Sequence, residues 1–151
     1  SAAVGNDSND GTNWVTALKT IGAAIGRAGG GDVILVTNGT YNITAQLTLD
    51  KALTLVSVNG REVTEIRGNN GFRLLYINQP DALVAGFTLS RGRSKNGARG
   101  GGLAIGSSGG NVEDCRVTAS VSDWWGEASA VHQAAGRVSR CLIDRNSFGF
   151  G

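Results

Sequence analysis

The chain of 151 residues contains one proline, Pro80, and one histidine, His132. A single proline excludes collagen and polyproline helices, which need it at high density. Charge is sparse as well. Charged residues make up 17% of the chain, the net charge is +2, and no run of lysines and arginines could track a phosphate backbone. Nucleic acid is therefore not an expected partner. No stretch approaches the run of about 18 apolar residues that a membrane span needs. No charged and apolar leader is visible at Ser1, although a mature secreted chain would look the same. The two cysteines, Cys115 and Cys141, have no companions at ligand spacing, so no metal site is expected of them.

Glycine is abundant. There are 24, roughly twice ordinary usage, and they fall between short apolar runs, where turns are needed. Against that background one pattern is written three times, as Val84-Ala85-Gly86-Phe87-Thr88-Leu89, Val112-Glu113-Asp114-Cys115-Arg116-Val117 and Val138-Ser139-Arg140-Cys141-Leu142-Ile143. Each copy is an apolar residue, two spacers, a residue of buried type, one spacer and a second apolar residue. The copies begin at 84, 112 and 138, which is 28 and 26 residues apart. Such a period marks a solenoid. One copy cannot bury its own apolar face, so successive copies must stack and share a core. Three stacks are expected: Val84, Val112 and Val138; Phe87, Cys115 and Cys141; Leu89, Val117 and Ile143.

In chain order, residues 1–13 are polar and turn-rich. The aspartates and asparagines between Asn6 and Asp10 are of the type that ligates calcium, but their spacing is not that of an EF-hand and no distal glutamate completes one. Side chains closing their own turns is the preferred reading, with no cofactor. From Trp14 the residues Trp14, Leu18, Ile21, Ile25 and Ala28 recur at helical period. Thr12 or Asn13 would cap the start and Gly29-Gly30-Gly31 the end. A helix over 14–28 is therefore expected, placed to cover the apolar end of the first coil. Beyond it the period drops to two, in runs at 32–36, 47–49, 53–55, 64–66 and 72–77 separated by turn residues. Short strands without intervening helices exclude βαβ units, and the threefold pattern favours a coil over a sandwich. The expected fold is all-β, a solenoid of four to five coils over residues 32–151, each coil advancing by about 4.8 Å.

These residues resemble the right-handed parallel β-helix proteins of the pectin-lyase-like superfamily, in particular secreted bacterial chondroitinase-B-like proteins. The resemblance rests on Gly5 to Trp14 with Ala17-Leu18-Lys19-Thr20-Ile21 and Ala23-Ala24-Ile25. It extends through Asp32-Val33-Ile34-Leu35-Val36, Gly39-Thr40-Tyr41 and Leu53-Thr54-Leu55 to Gly100-Gly101-Gly102-Leu103, Val112 and Cys115. It implies a secreted or cell-surface protein with a polysaccharide partner. It also implies that the chain is the N-terminal part of a longer protein, because the catalytic groups of family lyases lie on later coils. The last residues, Asn146 to Gly151, then leave an uncapped coil, open to self-association. Family coils commonly stack free thiols, yet Cys115 and Cys141, about 5 Å apart, are also within disulfide reach.

Candidate binding residues lie in two loops at matching points of adjacent coils. One carries Arg91, Arg93, Lys95 and Arg99; the other carries Asp123, Trp124, Trp125 and Glu127. Indole rings stack on sugar faces and cations pair with carboxylates or sulfates, so the two loops together read as a platform for an acidic glycan. For β-elimination, Arg93, Lys95 and Arg99 could neutralise a uronate carboxylate, but no catalytic set is recognisable. His132 is expected on the outside of a strand aligned with Leu103-Ala104-Ile105. The paired carboxylates Glu113 and Asp114, and Asp123 and Glu127, are of the type used in glycoside hydrolysis. The expected function is an extracellular scaffold that binds acidic polysaccharide. The alternatives are a fragment of a polysaccharide lyase and a self-assembling structural or adhesin subunit. Asn6, Asn38 and Asn42 lie in N-x-S/T sequons.

Overall fold

The computed structural model describes residues 1–123 and 130–148. After a short helix, α1 (Ile21–Arg27), come β1 (Val33–Val36), β2 (Gly39–Asn42), β3 (Leu47–Leu49), β4 (Thr54–Ser57), β5 (Thr64–Arg67) and β6 (Leu75–Ile77). Then follow β7 (Leu83–Ala85), β8 (Thr88–Ser90), β9 (Arg93–Ser94), β10 (Leu103–Ile105), β11 (Asn111–Glu113) and β12 (Arg116–Thr118). The last are β13 (Val121–Ser122), β14 (Val131–Gln133), β15 (Arg137–Ser139), β16 (Leu142–Asp144) and β17 (Ser147–Phe148). None is long enough to bury a face alone. Each pairs in parallel with its counterpart one coil away, giving sheet A (β1-β4-β7-β11-β15), sheet B (β2-β5-β8-β12-β16), sheet C (β3-β6-β10-β14) and sheet D (β9-β13-β17). The fold is an all-β parallel solenoid of about four turns.

Register places like residues one above another. In sheet A, Ile34, Leu55, Val84, Val112 and Val138 form one inward ladder. In sheet B, Tyr41, Ile66, Leu89, Val117 and Ile143 form a second. Sheet C adds Leu47, Leu75, Leu103 and Val131, with Leu49, Ile77 and Ile105 beside them. The middle coils hold the driest part of this core, with Leu55, Ile66, Val84, Leu89, Leu103 and Val112 all at 0% exposure. Removing each such side chain from water contributes about 1.5–3 kcal/mol.

The repeated pattern is two strands and the bend between them. Strict alternation would step inward at 84, 86 and 88, whereas the buried residues are Val84, Phe87 and Leu89. The extra residue is the corner. Gly86, Asp114 and Arg140 have φ of 79°, 51° and 52°, and this left-handed turn swings the chain from sheet A to sheet B. A second corner, from sheet B to sheet D, is made in the same way by Arg91, Ala119 and Arg145, with φ of 59°, 50° and 53°. The corner between β4 and β5 is longer and is bridged by Arg61, whose Nη1 donates to the carbonyls of Cys115 and Arg140, both at 3.2 Å.

The N-terminal end departs from the expectation of a helix over 14–28. The helix is only Ile21–Arg27, capped by Thr20, whose hydroxyl accepts from the Ala23 amide at 3.1 Å. Residues 14–20 are held instead by the polar segment before them. Asn13 Oδ1 takes the amides of Val15 and Thr16, Asp7 Oδ1 those of Lys19 and Thr20, and the Asn6 amide donates to the Ala17 carbonyl. With these partners supplied from outside, the helical ladder has no amides left to start from. Trp14 is consequently 52% exposed rather than on a buried helical face. The short helix still covers the first coil: Ile21 and Ile25 are buried, and Lys51 Nζ donates to the carbonyls of Ile25 and Ala28 at the helix end. Strand β6 is also shorter than the run 72–77.

Two residues separate the inward and outward faces. Leu89→Ala is expected to lower unfolding free energy by about 2–5 kcal/mol. Leu35→Ala, on the outer face and 52% exposed, is expected to change it by less than about 1 kcal/mol. Urea denaturation of the two variants checks the assignment.

Candidate functional site

The same alternation that fills the core sets a second row of side chains outward. On sheet B the outer residues are Thr40, Glu65, Thr88, Arg116 and Leu142 in one line. Asn42, Arg67, Ser90, Thr118 and Asp144 form the line beside it. The long corner raises Arg61 and Glu62 on one side, and the left-handed corner raises Arg91, Ala119 and Arg145 on the other. Between these rims lies a groove of about 480 Å³, lined by four arginines and two glutamates (Arg61, Arg91, Arg116, Arg145, Glu62 and Glu65).

The floor is organised by charge-assisted bonds. Arg67 holds Glu65 through Nη2 at 2.7 Å and Nε at 3.1 Å, Ser90 donates to Oε1 at 2.5 Å, and Thr40 donates to Oε2 at 3.3 Å. Arg116 reaches one coil on and grips Asp144 with both Nε and Nη2, at 3.0 and 2.6 Å. Partial burial pushes the Glu65 carboxyl up, but the Ser90 and Arg67 hydrogen bonds outweigh it and leave it below the ordinary value. The Arg116 hydrogen bonds hold Asp144 low, and Asp144 in turn raises Arg116. Both carboxylates are thus ionised and occupied by arginines. A general acid requires the opposite, a carboxyl raised toward neutrality.

The residues expected from the sequence are distributed as follows. Arg91 stands exposed on the groove rim. Arg93 starts β9 and pairs through Nε with Asp123 Oδ1 at 2.5 Å, so the two loops do meet, one coil apart, where β9 and β13 pair. Lys95 and Arg99 are exposed on the far side of β9, toward sheet C, and the Arg99 carbonyl accepts from Arg73 Nε and Nη2. The loop returns to the wall through Gly100-Gly101-Gly102; a Cβ at Gly102 would lie 2.3 Å from Val117 Cγ1, so only glycine fits there. Trp124, Trp125, Glu127 and Phe150 lie outside the described residues. His132 is half-exposed on β14, aligned with Ala104 and, one coil further, Tyr76, on a different sheet from the groove. Glu113 and Asp114 are bound to Arg140 at 2.6 and 2.8 Å, on the corner between sheets A and B. Asp10 closes its own turn on the Thr12 amide and the Thr12 and Thr16 hydroxyls, whereas Asp7 takes the amides of Lys19 and Thr20, 12 and 13 residues further along, instead of closing its own turn.

Sequence reasoning missed Arg61, Glu62, Glu65, Arg67, Arg116, Asp144 and Arg145. The signal was present in the spacers of the repeat. The position before each second apolar residue (Thr88, Arg116, Leu142) lies on the outer face of sheet B, as does the position after it (Ser90, Thr118, Asp144), and of these Thr88, Ser90, Arg116 and Thr118 line the groove.

Because Glu65 and Asp144 are lowered in the folded chain, their contribution to stability is present above the unfolded values, about 4.3 and 3.9. It is lost as pH falls through the lower folded values. Urea midpoints are therefore expected to drop with acidification below about pH 4, and Glu65→Gln, which cannot titrate, is expected to show a shallower drop than the wild type. Equal slopes would contradict this role for Glu65.

Comparison with known proteins places this geometry in context. Residues 3–49 match the model of a family described as Protein of unknown function (DUF1565). No curated protein matches the chain. Among solved structures, a pectin methylesterase mutant in complex with a hexasaccharide is similar, with a TM-score of 0.60 at 20% sequence identity over 85% of this chain. The match spans 45% of that protein's own length. At that identity the likeness is one of fold, and it agrees with the parallel β-helix that the sequence resemblance implies.

Proposed function

We propose that the chain is a carbohydrate-binding β-helix of the cell exterior and that the sheet B groove holds an acidic polysaccharide. The observation that carries this reading is the lining of the groove, in which four arginines face two glutamates and the floor carboxylate, Glu65, is already occupied by Arg67. Arg91 and Arg145 sit at equivalent corners with Ala119 between them, two coil steps or about 9.6 Å apart. A chain of linked pyranose rings bearing carboxylates, laid along the solenoid axis, would meet both. Lys95 and Arg99 lie beyond the rim, Arg93 is paired with Asp123, and Trp124, Trp125 and Glu127 follow Asp123 in the sequence of the second loop. Two further observations support a glycan. The outer face of sheet B is hydroxyl-rich, with Thr40, Thr88, Ser90 and Thr118, and a similar structure carries a hexasaccharide. Binding is preferred to β-elimination because the carboxylates described on sheet B, Glu65 and Asp144, are engaged by Arg67 and Arg116.

Titration calorimetry with an acidic hexauronate tests the proposal. Arg91→Ala and Arg145→Ala are each expected to weaken binding by about tenfold, the loss of one charged hydrogen bond. Added salt is expected to weaken it further. Absence of heat at millimolar ligand, or equal binding of a neutral hexasaccharide, would overturn it.

A further inference from the structure

A second groove, of about 690 Å³, lies at the helix end of the solenoid and is lined by the whole of β1 together with Asp32. Strand β1 is the outermost strand of sheet A, with β4 as its partner. The Thr54 amide donates to the Asp32 carbonyl at 3.0 Å and the Val58 amide to the Val36 carbonyl at 2.9 Å. In that parallel register the backbone groups of Ile34 and Val36 turn toward β4, and those of Val33 and Leu35 turn to the other edge. Among the described residues nothing pairs with them. The first strands of the neighbouring sheets are covered, β2 by Ala2, whose amide donates to Tyr41 Oη at 3.2 Å, and β3 by α1. Residues 1–32 therefore fold over this end and still leave the β1 edge free. Natural edge strands are ordinarily blunted by lysine, proline or a covering element. Strand β1 has only Val33, Ile34, Leu35 and Val36, with Val33 59% and Leu35 52% exposed on the outer face. On the inner face Ile34 starts the sheet A ladder and is only half-buried, whereas Leu55 beside it is fully buried. The charge of the groove is also uncompensated. Asp10 and Asp32 stand exposed in its lining, neither is in a salt bridge among the described residues, and its one arginine, Arg27, donates to the Asp7 carbonyl.

We propose that the β1 edge is a docking site for an extended peptide segment of another protein, which joins sheet A as a strand beside β1. The segment is about five residues long, the length of the lining from Asp32 to Val36, or about 16 Å. It is apolar at alternate positions and carries a lysine or arginine at the end beside Asp32. The chemistry of the edge selects it. The amides and carbonyls of Val33 and Leu35 repeat every second residue, an alternation of donor and acceptor that another extended backbone returns bond for bond. Inward side chains of the segment extend the ladder past Ile34 and lie against Ile21 and Ala24, which line the groove from the helix. Outward ones lie beside Val33 and Leu35, as cross-strand neighbours do. The basic end answers Asp10 and Asp32. This site is separate from the sheet B groove and stands whether or not that groove holds a glycan.

The probe is a fluorescein-labelled heptapeptide of one lysine followed by alternating valine and threonine, added to the full chain and read by fluorescence anisotropy and by amide hydrogen exchange. Saturable binding is expected, with exchange slowed at the Val33 and Leu35 amides. Two N-methylated forms of the peptide, at the valines or at the threonines, each silence one backbone edge. One form is expected to bind at least about tenfold more weakly and the other to bind as before. Glutamate in place of the lysine is expected to weaken binding by about threefold. Leu35→Pro removes a free-edge amide while sparing the bonds of Ile34 and Val36 to β4, and is expected to cost at least about tenfold; if that variant does not fold, the methylated peptides decide. No anisotropy change at millimolar peptide, equal binding of both methylated forms, or equal binding of the glutamate peptide would overturn the proposal. So would Val33 and Leu35 amides already protected in the free monomer, or a dimer of this chain that occupies the edge in place of the peptide.

Discussion

Everything in this molecule depends on parallel pairing held in register from coil to coil. Among the described residues no strand exceeds four residues, and a strand of that length is not stable alone. Each becomes stable only because its amides and carbonyls are taken by the coil before and the coil after, while its inward side chain rests on its own equivalent. A slip by one residue would turn Leu55, Val84 and Val112 outward and bring Thr54, Leu83 and Asn111 in, and the core would be lost. The left-handed corners at Asp114, Arg140, Arg91 and Arg145 are conformations that non-glycine residues adopt at a cost. They persist because register leaves the chain no other way to turn.

The same constraint makes the outer face a place for function. A residue facing the core has to match the residues above and below it, whereas an outward residue meets only its neighbours on the surface. Sheet B uses that freedom to lay arginines and carboxylates beside one another across successive coils, as in the Arg116 to Asp144 pair. Arginine is suited to this, because its planar fork can hold a carboxylate of the protein and still present donors outward. The groove therefore combines a rigid floor with a surplus of positive charge at the rim.

What was legible in the sequence follows from how regular each coil is. The copies at 84, 112 and 138 share a one-residue corner, so their spacing repeats and the ladders Val84-Val112-Val138 and Leu89-Val117-Ile143 could be read directly. Ile34, Leu55, Tyr41 and Ile66 belong to the same ladders, but the long corner from Val58 to Val63 breaks the spacing, and they were not recognised as copies. The helix was over-extended because Trp14 and Leu18 fall at helical period. What cannot be seen from period is that Asn13 and Asp7 take the amides such a helix would need. The groove was hidden for a different reason. Its residues are the spacers of the repeat, and only the three-dimensional register shows that Glu65, Arg116 and Asp144 share one face. The basic loop was visible as a charge cluster, yet Arg93 proves to be bound to Asp123, and Arg91 stands apart from Lys95 and Arg99 across β9.

An acidic glycan bound as proposed would lie on sheet B and leave the other walls of the solenoid untouched. The most direct measurement is amide chemical-shift mapping by NMR on adding a hexauronate. Perturbations are expected to concentrate at Thr88, Ser90, Arg91, Arg116, Thr118 and Arg145, in a line along the axis. Perturbations centred on Val33 and Leu35 of sheet A, or on Tyr76 and His132 of sheet C, with the sheet B amides unmoved, would contradict it.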